Sequence, residues 1–237
     1  MQVKIIFDNE AISKKLSIGW GFSCLVNDNI LFDTGEKDGY LFENMRNMDI
    51  DISHIKTAVI SHDHWDHTGG LWRLLEQNKG IKVYSCPNFS AQFKNTVKQL
   101  EGSLIEADRF TEIAKDIFVT GEISGIYKGQ YIPEQALIVK TKNGISVITG
   151  CSHPGIIKML GKVNEQFPHE QIYSVFGGFH LMDEDNRFIE IIANKFREMK
   201  IKKAGPTHCS GKKAEEIFKE KYSDNFIALK AGQVLDV

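Results

Sequence analysis

Residues 61–70, SHDHWDHTGG, place three histidines and two aspartates in six consecutive positions, in a chain that has eight histidines in all. Imidazole nitrogens combined with carboxylate oxygens suit zinc, iron or manganese and do not suit calcium. Side chains two positions apart in extended backbone point to the same side, so His62 and His64 can bind one ion. Asp66 and His67 follow where the chain turns into a helix, and we expect them to reach a second ion.

The alternative for this stretch is a polar loop whose histidines only form hydrogen bonds. Buried polar groups need partners, and five such groups are hard to satisfy without a metal ion. The stretch lies between the apolar run IKTAVI, which predicts a buried strand, and TGGLWRLLE, which predicts a helix. Loops between such elements are where functional side chains converge, so the pattern favours a metal centre.

Short β-rich runs separated by turn signals predict many strands with helices between them. Ten runs predict strands: VKIIF, FSCLV, NILFD, KTAVIS, KVYS, DIFVTG, ALIVKT, ISVITG, IYSVFG and KKAGPTH. Apolar residues at helical spacing predict helices around 40–48, 89–100, 156–163 and 189–199. We expect Pro154 at a first helical position and Ser210 as the N-cap of a further helix.

The organisation predicted from these elements is a single domain spanning residues 1–237. No linker, low-complexity tract or charge block marks a boundary. The segments NDNILFDTG and KNGISVITG each predict a hairpin followed by a loop and a helix. This weak internal echo suggests two β-rich halves packed face to face with helices on the outside.

Composition limits the class of partner. The net charge is −2 with acidic and basic residues mixed along the chain, so nucleic acid is not expected as the main partner. No apolar stretch approaches the roughly 20 residues of a membrane helix, and the start MQVKIIFDNE does not resemble a signal peptide. The four cysteines form no CxxC pair, so we expect a reducing, cytoplasmic location.

The motif His-x-His-x-Asp-His after a strand, with ILFDTG about thirty residues upstream, resembles the metallo-β-lactamase superfamily. The segments TGCSHPGI, GGFHL and PTHCSG follow in the order typical of that family. The combination is most similar to the branch of the methanopterin-pathway dihydropterin ribofuranosyl-aminobenzene phosphate synthase and its bacterial relatives of unassigned function. The resemblance implies an α/β fold: a four-layer αβ/βα sandwich of two packed mixed sheets, with a dinuclear metal site along one edge.

Matching the family's metal ligands onto this chain gives His62, His64, Asp66 and His67, with His208 in the place of the last family histidine. The family usually has a histidine and a bridging aspartate between these, and here no histidine occurs between His67 and His153. We therefore expect His153 to replace the missing imidazole.

The position of the bridging aspartate is occupied by Cys151, which is either a thiolate ligand or a small residue in the wall of the site. Glu122, near the usual position of the absent histidine, is a lesser candidate ligand. The second metal site is thus less well defined by the sequence than the first.

Four further residues are candidates for supporting roles. We expect Asp33 to hold a ligand histidine in orientation, although it could be a plain turn residue. His180 could contact substrate or take a metal position, or it could be a hydrogen-bonded histidine outside the site. Lys212 and Lys213 could help to bind an anionic group at a helix N-terminus, or they could form a solvated helix face.

The function predicted is a metal-dependent hydrolase in which two divalent transition-metal ions generate hydroxide from a shared water. Zinc is the first expectation for the metal, with manganese and iron as alternatives. Asp66 is expected to be both ligand and proton acceptor, and His180 a second catalytic candidate. A small, anionic, phosphorylated substrate, either an ester or a cyclic phosphate, is the first choice, with no nucleic-acid or membrane partner.

Three alternatives stay open at this point. The first is a synthase acting on a dihydropterin precursor, which depends on the resemblance alone. The second is a lactonase-type hydrolase. The third is a metal or redox sensor without turnover, because Cys151 and Cys209 both stand near ligand histidines in the sequence.

Overall fold

Fifteen strands and seven helices make up the computed structural model, which describes residues 1–237. The strands are β1 (Gln2–Phe7), β2 (Ser23–Val26), β3 (Ile30–Phe32), β4 (Thr57–Val59), β5 (Lys82–Ser85), β6 (Ser103–Glu106), β7 (Thr111–Ala114), β8 (Ile117–Val119), β9 (Ile123–Tyr127), β10 (Gln130–Glu134), β11 (Leu137–Thr141), β12 (Gly144–Thr149), β13 (Ile172–Gly178), β14 (Lys203–Thr207) and β15 (Val234–Asp236). The helices are α1 (Asp38–Asn47), α2 (Trp65–Thr68), α3 (Leu71–Gln77), α4 (Ala91–Gln99), α5 (Ile156–Gln166), α6 (Asn186–Glu198) and α7 (Gly211–Tyr222). No helix is both long and apolar enough to span a membrane.

These elements divide into two compact units. Unit 1 comprises Met1–Asp108 and Lys230–Asp236, and unit 2 comprises Arg109–Leu229 with Val237. Each unit contains one large mixed sheet with helices, so the predicted α/β class is confirmed. The single domain over residues 1–237 stays a prediction.

The sheet of unit 1 has seven strands in the order β15-β1-β2-β3-β4-β5-β6. Strands β3 to β6 run parallel, whereas β15, β1, β2 and β3 pair antiparallel. Because the carboxyl ends of parallel strands meet at one edge of a sheet, the residues after β3 and β4 become neighbours. The backbone N–H of Asp33, just after β3, donates to the carbonyl of Val59 at the end of β4.

The sheet of unit 2 has six strands in the order β14-β13-β12-β11-β8-β7, and β9 and β10 form a separate hairpin. Strands β12, β13 and β14 run parallel, so their carboxyl ends share one edge. Both units contain a hairpin, β2–β3 in one and β11–β12 in the other, whose second strand pairs in parallel with the next strand along the chain. The predicted hairpin echo is therefore present in the two sheets.

Each unit has its own hydrophobic core, which explains the helical periodicities of the sequence. Helices α1, α3 and α4 bury one apolar face in unit 1, and α5, α6 and α7 do so in unit 2. The buried stripe of α6 consists of Ile189, Ile192, Ala193 and Phe196, at the spacing of an amphipathic helix. All ten predicted strands and all predicted helical segments are present.

One predicted helix start was wrong, and the other was confirmed in position but not in its capping hydrogen bond. Helix α5 begins at Ile156 with Gly155 as its N-cap, so Pro154 lies before the helix. Ser210 occupies the N-cap position of α7, but its side chain caps nothing. Its hydroxyl instead accepts a hydrogen bond from the backbone N–H of Phe179, at 2.9 Å, and so ties the start of α7 to the end of β13.

Tyr222, at the end of α7, gives a test of the unit 2 core. Its hydroxyl is buried without a hydrogen-bond partner, and burial raises the pKa of Tyr222 to about 12, against a smaller lowering by Arg197. Because the folded-state pKa lies above the ordinary value of 10.0, the folded protein loses stability as the pH rises from 10 towards 12. Tyr222→Phe should therefore lose less stability over this range than the wild type, as measured by chemical denaturation.

At neutral pH the same variant should match the wild type or exceed it by up to about 1 kcal/mol, because it removes an unsatisfied buried hydroxyl. Tyr173→Phe, at a half-buried tyrosine of β13, is the matched control and should keep the wild-type loss at high pH. A Tyr222→Phe protein that is clearly less stable at neutral pH would contradict this description of the core.

Candidate metal centre

The donors of unit 1 come together in the loop between β4 and α2. The ring centroid of His62 lies 4.6 Å from that of His64 and 4.2 Å from that of His67. His64 is the extended N-cap residue of α2, and the first turn of that helix supplies Asp66 and His67. Asp66 Oδ2 lies 3.4 Å from His67 Nε2. The four residues therefore form one cluster, in which all but half-exposed His64 are buried.

The carboxylate of Asp33 holds this cluster in place through hydrogen bonds. Its Oδ1 accepts the backbone N–H of Ser61, and its Oδ2 accepts the Ser61 hydroxyl, each at 2.7 Å. His67 Nδ1 lies 2.7 Å from the same Oδ2. Asp33 has a φ of 52°, a left-handed conformation that aspartate tolerates better than most residues.

The Asp33 network also fixes which histidine nitrogens are available. An ionised carboxylate only accepts hydrogen bonds, so His67 Nδ1 and the Ser61 hydroxyl both donate to Asp33. The Ser61 oxygen lies 2.8 Å from His62 Nδ1 and can accept its proton in turn. Both histidines thus direct Nδ1 towards the Asp33 network, and this assignment makes their Nε2 atoms the candidate ligand atoms.

The electrostatics around His67 favour a cation. Burial alone would lower the pKa of His67, but the carboxylates of Asp33 and Asp66 raise it well above its ordinary value. Two carboxylates that stabilise a proton on this imidazole also stabilise a metal ion at Nε2. Metal binding here would therefore displace a proton.

The sequence motifs DTG and DHTGG are joined through their backbones. The carbonyl of His67 accepts hydrogen bonds from the backbone N–H and the hydroxyl of Thr34, at 2.9 and 2.8 Å. Gly69 N–H donates to Gly35, and a Cβ at Gly69 would lie 2.2 Å from the Glu36 carbonyl oxygen. Only glycine permits this approach, which holds the helix start against the loop after β3.

The donors of unit 2 follow the carboxyl ends of its parallel strands. Cys151 and His153 come after β12, His180 after β13 and His208 after β14. Ligand atoms of Cys151, His153 and His180 all lie within 4.8 Å of one another. His208 Nε2 lies 3.4 Å from the Cys151 sulfur. The unit therefore brings together Cys151, His153 and His180, and places His208 beside Cys151.

Glu134 shapes the unit 2 loop, and sequence reasoning missed it. This fully buried carboxylate accepts the backbone N–H groups of Cys151 and Ser152 on Oε1, at 2.9 and 2.7 Å, and that of His153 on Oε2, at 2.7 Å. The Ser152 hydroxyl donates to the carbonyl of Gly178 at 2.7 Å. The one available signal in the sequence was a glutamate next to the apolar run ALIVKT. A charged residue that is buried needs a defined set of hydrogen-bond partners.

His180 is held between an aromatic ring and a thiol. The ring of Tyr127 lies 5.1 Å from that of His180 and 4.9 Å from that of His153. A hydrogen bond with Cys209 raises the pKa of His180, against the effect of burial. His180 Nδ1 is buried and has no hydrogen-bond partner, so it is an atom that a bound group could satisfy.

Cys209 is a buried thiol with acidic character. Burial would raise the pKa of Cys209, but hydrogen bonds with Cys151 and His180 and the charge of His208 lower it well below its ordinary value. All four cysteines of the chain are free. The donors of the two units are imidazoles, a carboxylate and thiols, a set that fits zinc and excludes calcium as a matched ion.

The remaining predicted site residues lie apart from these clusters. The carboxylate of Glu122 accepts the Tyr131 hydroxyl at 2.6 Å, and Glu122 is not among the residues grouped around Cys151. Lys212 and Lys213 are exposed on α7, and Lys212 Nζ lies 3.4 Å from Glu215. Their predicted roles stay predictions.

The Asp33 network predicts a specific loss of metal affinity. Asp33→Asn should weaken zinc binding by about 10- to 100-fold, because the amide cannot accept all three hydrogen bonds and no longer fixes the imidazoles. Asp28→Asn is the matched control, since Asp28 is an exposed aspartate with a similar left-handed φ of 61°. Competition with a chelator of known affinity measures the effect. Equal zinc affinities in the two variants would show that Asp33 does not orient ligands.

Comparison with known proteins agrees with this geometry. The sequence-family model described as the metallo-beta-lactamase superfamily matches residues 24–173 of this chain. A 7,8-dihydropterin-6-methyl-4-(beta-D-ribofuranosyl)-aminobenzene-5'-phosphate synthase of Methanocaldococcus jannaschii is 30% identical, over 89% of this chain and 85% of its own length. An uncharacterized protein of the same organism, MJ0448, is 27% identical over 99% of this chain and 100% of its own.

Among solved structures, Tm1679, described as a metal-dependent hydrolase of the beta-lactamase superfamily, superposes with a TM-score of 0.84 and 31% identity. The match covers 100% of this chain and 99% of that one. The resemblance predicted from the motifs is thereby confirmed, together with the fold class. The chain belongs to the metallo-β-lactamase superfamily.

Proposed function

We propose that the protein is a metal-dependent hydrolase that holds two divalent transition-metal ions. The observation that carries the proposal is the Asp33 network, because it fixes the imidazoles of His62 and His67 through their Nδ1 atoms. A buried carboxylate serving two histidines in this way has a clear use in a metal site. Membership of the superfamily supports the same function.

The proposed ligands are six residues, and a seventh is left open. Unit 1 supplies His62, His64, Asp66 and His67, and unit 2 supplies His153 and His208. Cys151 is either a thiolate ligand or part of the wall. Zinc suits this set best, with manganese and iron as alternatives.

Two divalent ions held by these residues would supply a nucleophilic water at neutral pH and would polarise the substrate oxygen. Asp66 accepts the proton released from the attacking water, in addition to its role as ligand. His180 contacts the substrate through Nδ1, which is buried and has no hydrogen-bond partner in the protein. Tyr127 and Cys209 hold the imidazole of His180 in place for this contact.

The substrate we propose is a small phosphorylated molecule, an ester or a cyclic phosphate. Lys212 and Lys213 stand in the first turn of α7, four and five residues after His208, where a cation can contact an anionic group. The name of the M. jannaschii relative includes a phosphate, which supports this class of substrate. No nucleic-acid or membrane partner is proposed, and a cytoplasmic location stays a prediction.

A second candidate is a synthase acting on a dihydropterin precursor. It is favoured by the 30% identity to the M. jannaschii synthase over most of both chains. The two candidates share the fold and the metal ligands, so only the reaction separates them. Metal-loaded protein that leaves phosphate esters and diesters intact, yet converts a pterin-bearing precursor, would favour the synthase.

The hydrolase predicts that protein stripped of metal and reloaded with zinc, manganese or iron cleaves 4-nitrophenyl phosphate or bis(4-nitrophenyl) phosphate. His153→Gln should lower kcat/KM by at least about tenfold, because a proposed ligand is lost. His169→Gln, at an exposed histidine of unit 2, is the control and should leave kcat/KM unchanged. The hydrolase is overturned if none of the three metals supports cleavage of either ester.

A further inference from the structure

A cavity of about 340 Å³ lies in unit 2 against two of the site histidines. It is formed by the start of α5, the segment that follows β13 and the first half of α6. His153 and His180 belong to its lining, so a group in the cavity contacts these two residues. The cavity is within the size range of pockets that bind small molecules.

The rest of the lining is mainly apolar. Ile156, Ile157, Leu181, Phe188 and Ile192 all contribute to it. Phe188 is 42% exposed, although it is a large aromatic residue in the first turn of α6. The helix start needs only the backbone N–H of Phe188, which donates to the Asp185 cap at 2.8 Å. The exposed ring therefore has no role in capping the helix, and an apolar ligand group would cover it.

The charged residues of the lining do not favour binding of an anionic group in addition to the proposed phosphate. Lys158 and Glu184 both line the cavity and have opposite signs. Lys158 Nζ also donates to the backbone carbonyl of Ser124 at 2.6 Å. The lining has no excess positive charge, so it matches a neutral group better than a phosphate or carboxylate.

The volume sets the size of that group. An apolar cavity of about 150 Å³ accepts benzene in another protein. A cavity of about 340 Å³ therefore has room for two fused rings or for one ring with a short chain.

We propose that this cavity binds a neutral, ring-bearing part of the substrate, next to the group that reacts at His153 and His180. The proposal rests on the proposed function in that it treats these histidines as part of the catalytic site. It makes the substrate an aromatic or heteroaromatic organic molecule, as opposed to a small aliphatic or inorganic phosphate. Phe188 is the specificity-determining residue in this description.

The test compares two ligands with the same anionic head group, 1-naphthylphosphonate and methylphosphonate, by isothermal titration of the zinc-loaded protein. The naphthyl compound should bind about tenfold or more tightly, because its rings are removed from water in the cavity. Phe188→Ala should reduce this preference at least about threefold. Ile191→Ala is the matched control, since Ile191 is 47% exposed on the same helix and does not line the cavity.

Both substituted residues are exposed, so neither variant should alter the melting temperature, and Ile157→Ala provides a second variant of the lining. Equal affinities of the two phosphonates for the wild type, or failure of both to bind, overturn the proposal. A naphthyl preference that survives both Phe188→Ala and Ile157→Ala also overturns it. If the wild type cleaves neither ester in the presence of metal but still prefers the naphthyl phosphonate, the hydrolase is overturned and the ring-binding cavity is not.

Discussion

The buried carboxylate of Asp33 is the interaction on which the loop of unit 1 that carries the proposed metal ligands depends. It accepts hydrogen bonds from the backbone N–H and the hydroxyl of Ser61 and from the imidazole of His67. Through Ser61 it also orients His62. A charge this deeply buried is stable only when fully hydrogen-bonded, so the loop has little freedom to adopt another conformation. The contact of Thr34 with the His67 carbonyl, and the absence of a side chain at Gly69, then lock the loop against the segment after β3.

Unit 2 uses the same device with a different residue. Glu134 is fully buried and receives three consecutive backbone N–H groups, from Cys151 to His153. In both units, therefore, a buried carboxylate fixes a ligand loop that follows the second strand of a hairpin or its parallel neighbour. The aspartate accepts hydrogen bonds from one backbone N–H and two side chains, whereas the three hydrogen bonds of the glutamate come from backbone N–H groups. The repetition agrees with the hairpin echo in the sequence and gives the candidate ligand loop of each unit its own buried support.

Much of this was predictable because the chemistry is local in sequence. Residues 62–67 contain four candidate metal ligands within six positions. The strands that position them are strongly apolar in sequence. Strands β6, β7, β9, β10 and β15 were missed, since they are short or carry polar residues on exposed faces, which weakens the alternating pattern. Glu134 was missed because its partners lie 17 to 19 positions away, and no local pattern encodes that contact. Ser210 was predicted to cap α7 from its residue type, but the tertiary contact with Phe179 took precedence.

The central claim is that both ligand loops serve a centre of two metal ions. Elemental analysis of protein reconstituted with zinc and freed of loosely bound metal tests this claim most directly. The proposed dinuclear centre predicts two zinc ions per chain, falling when a ligand of either loop is replaced, as in His62→Gln or His208→Gln. A content of one ion or fewer per chain after reconstitution, unchanged by either substitution, would contradict it.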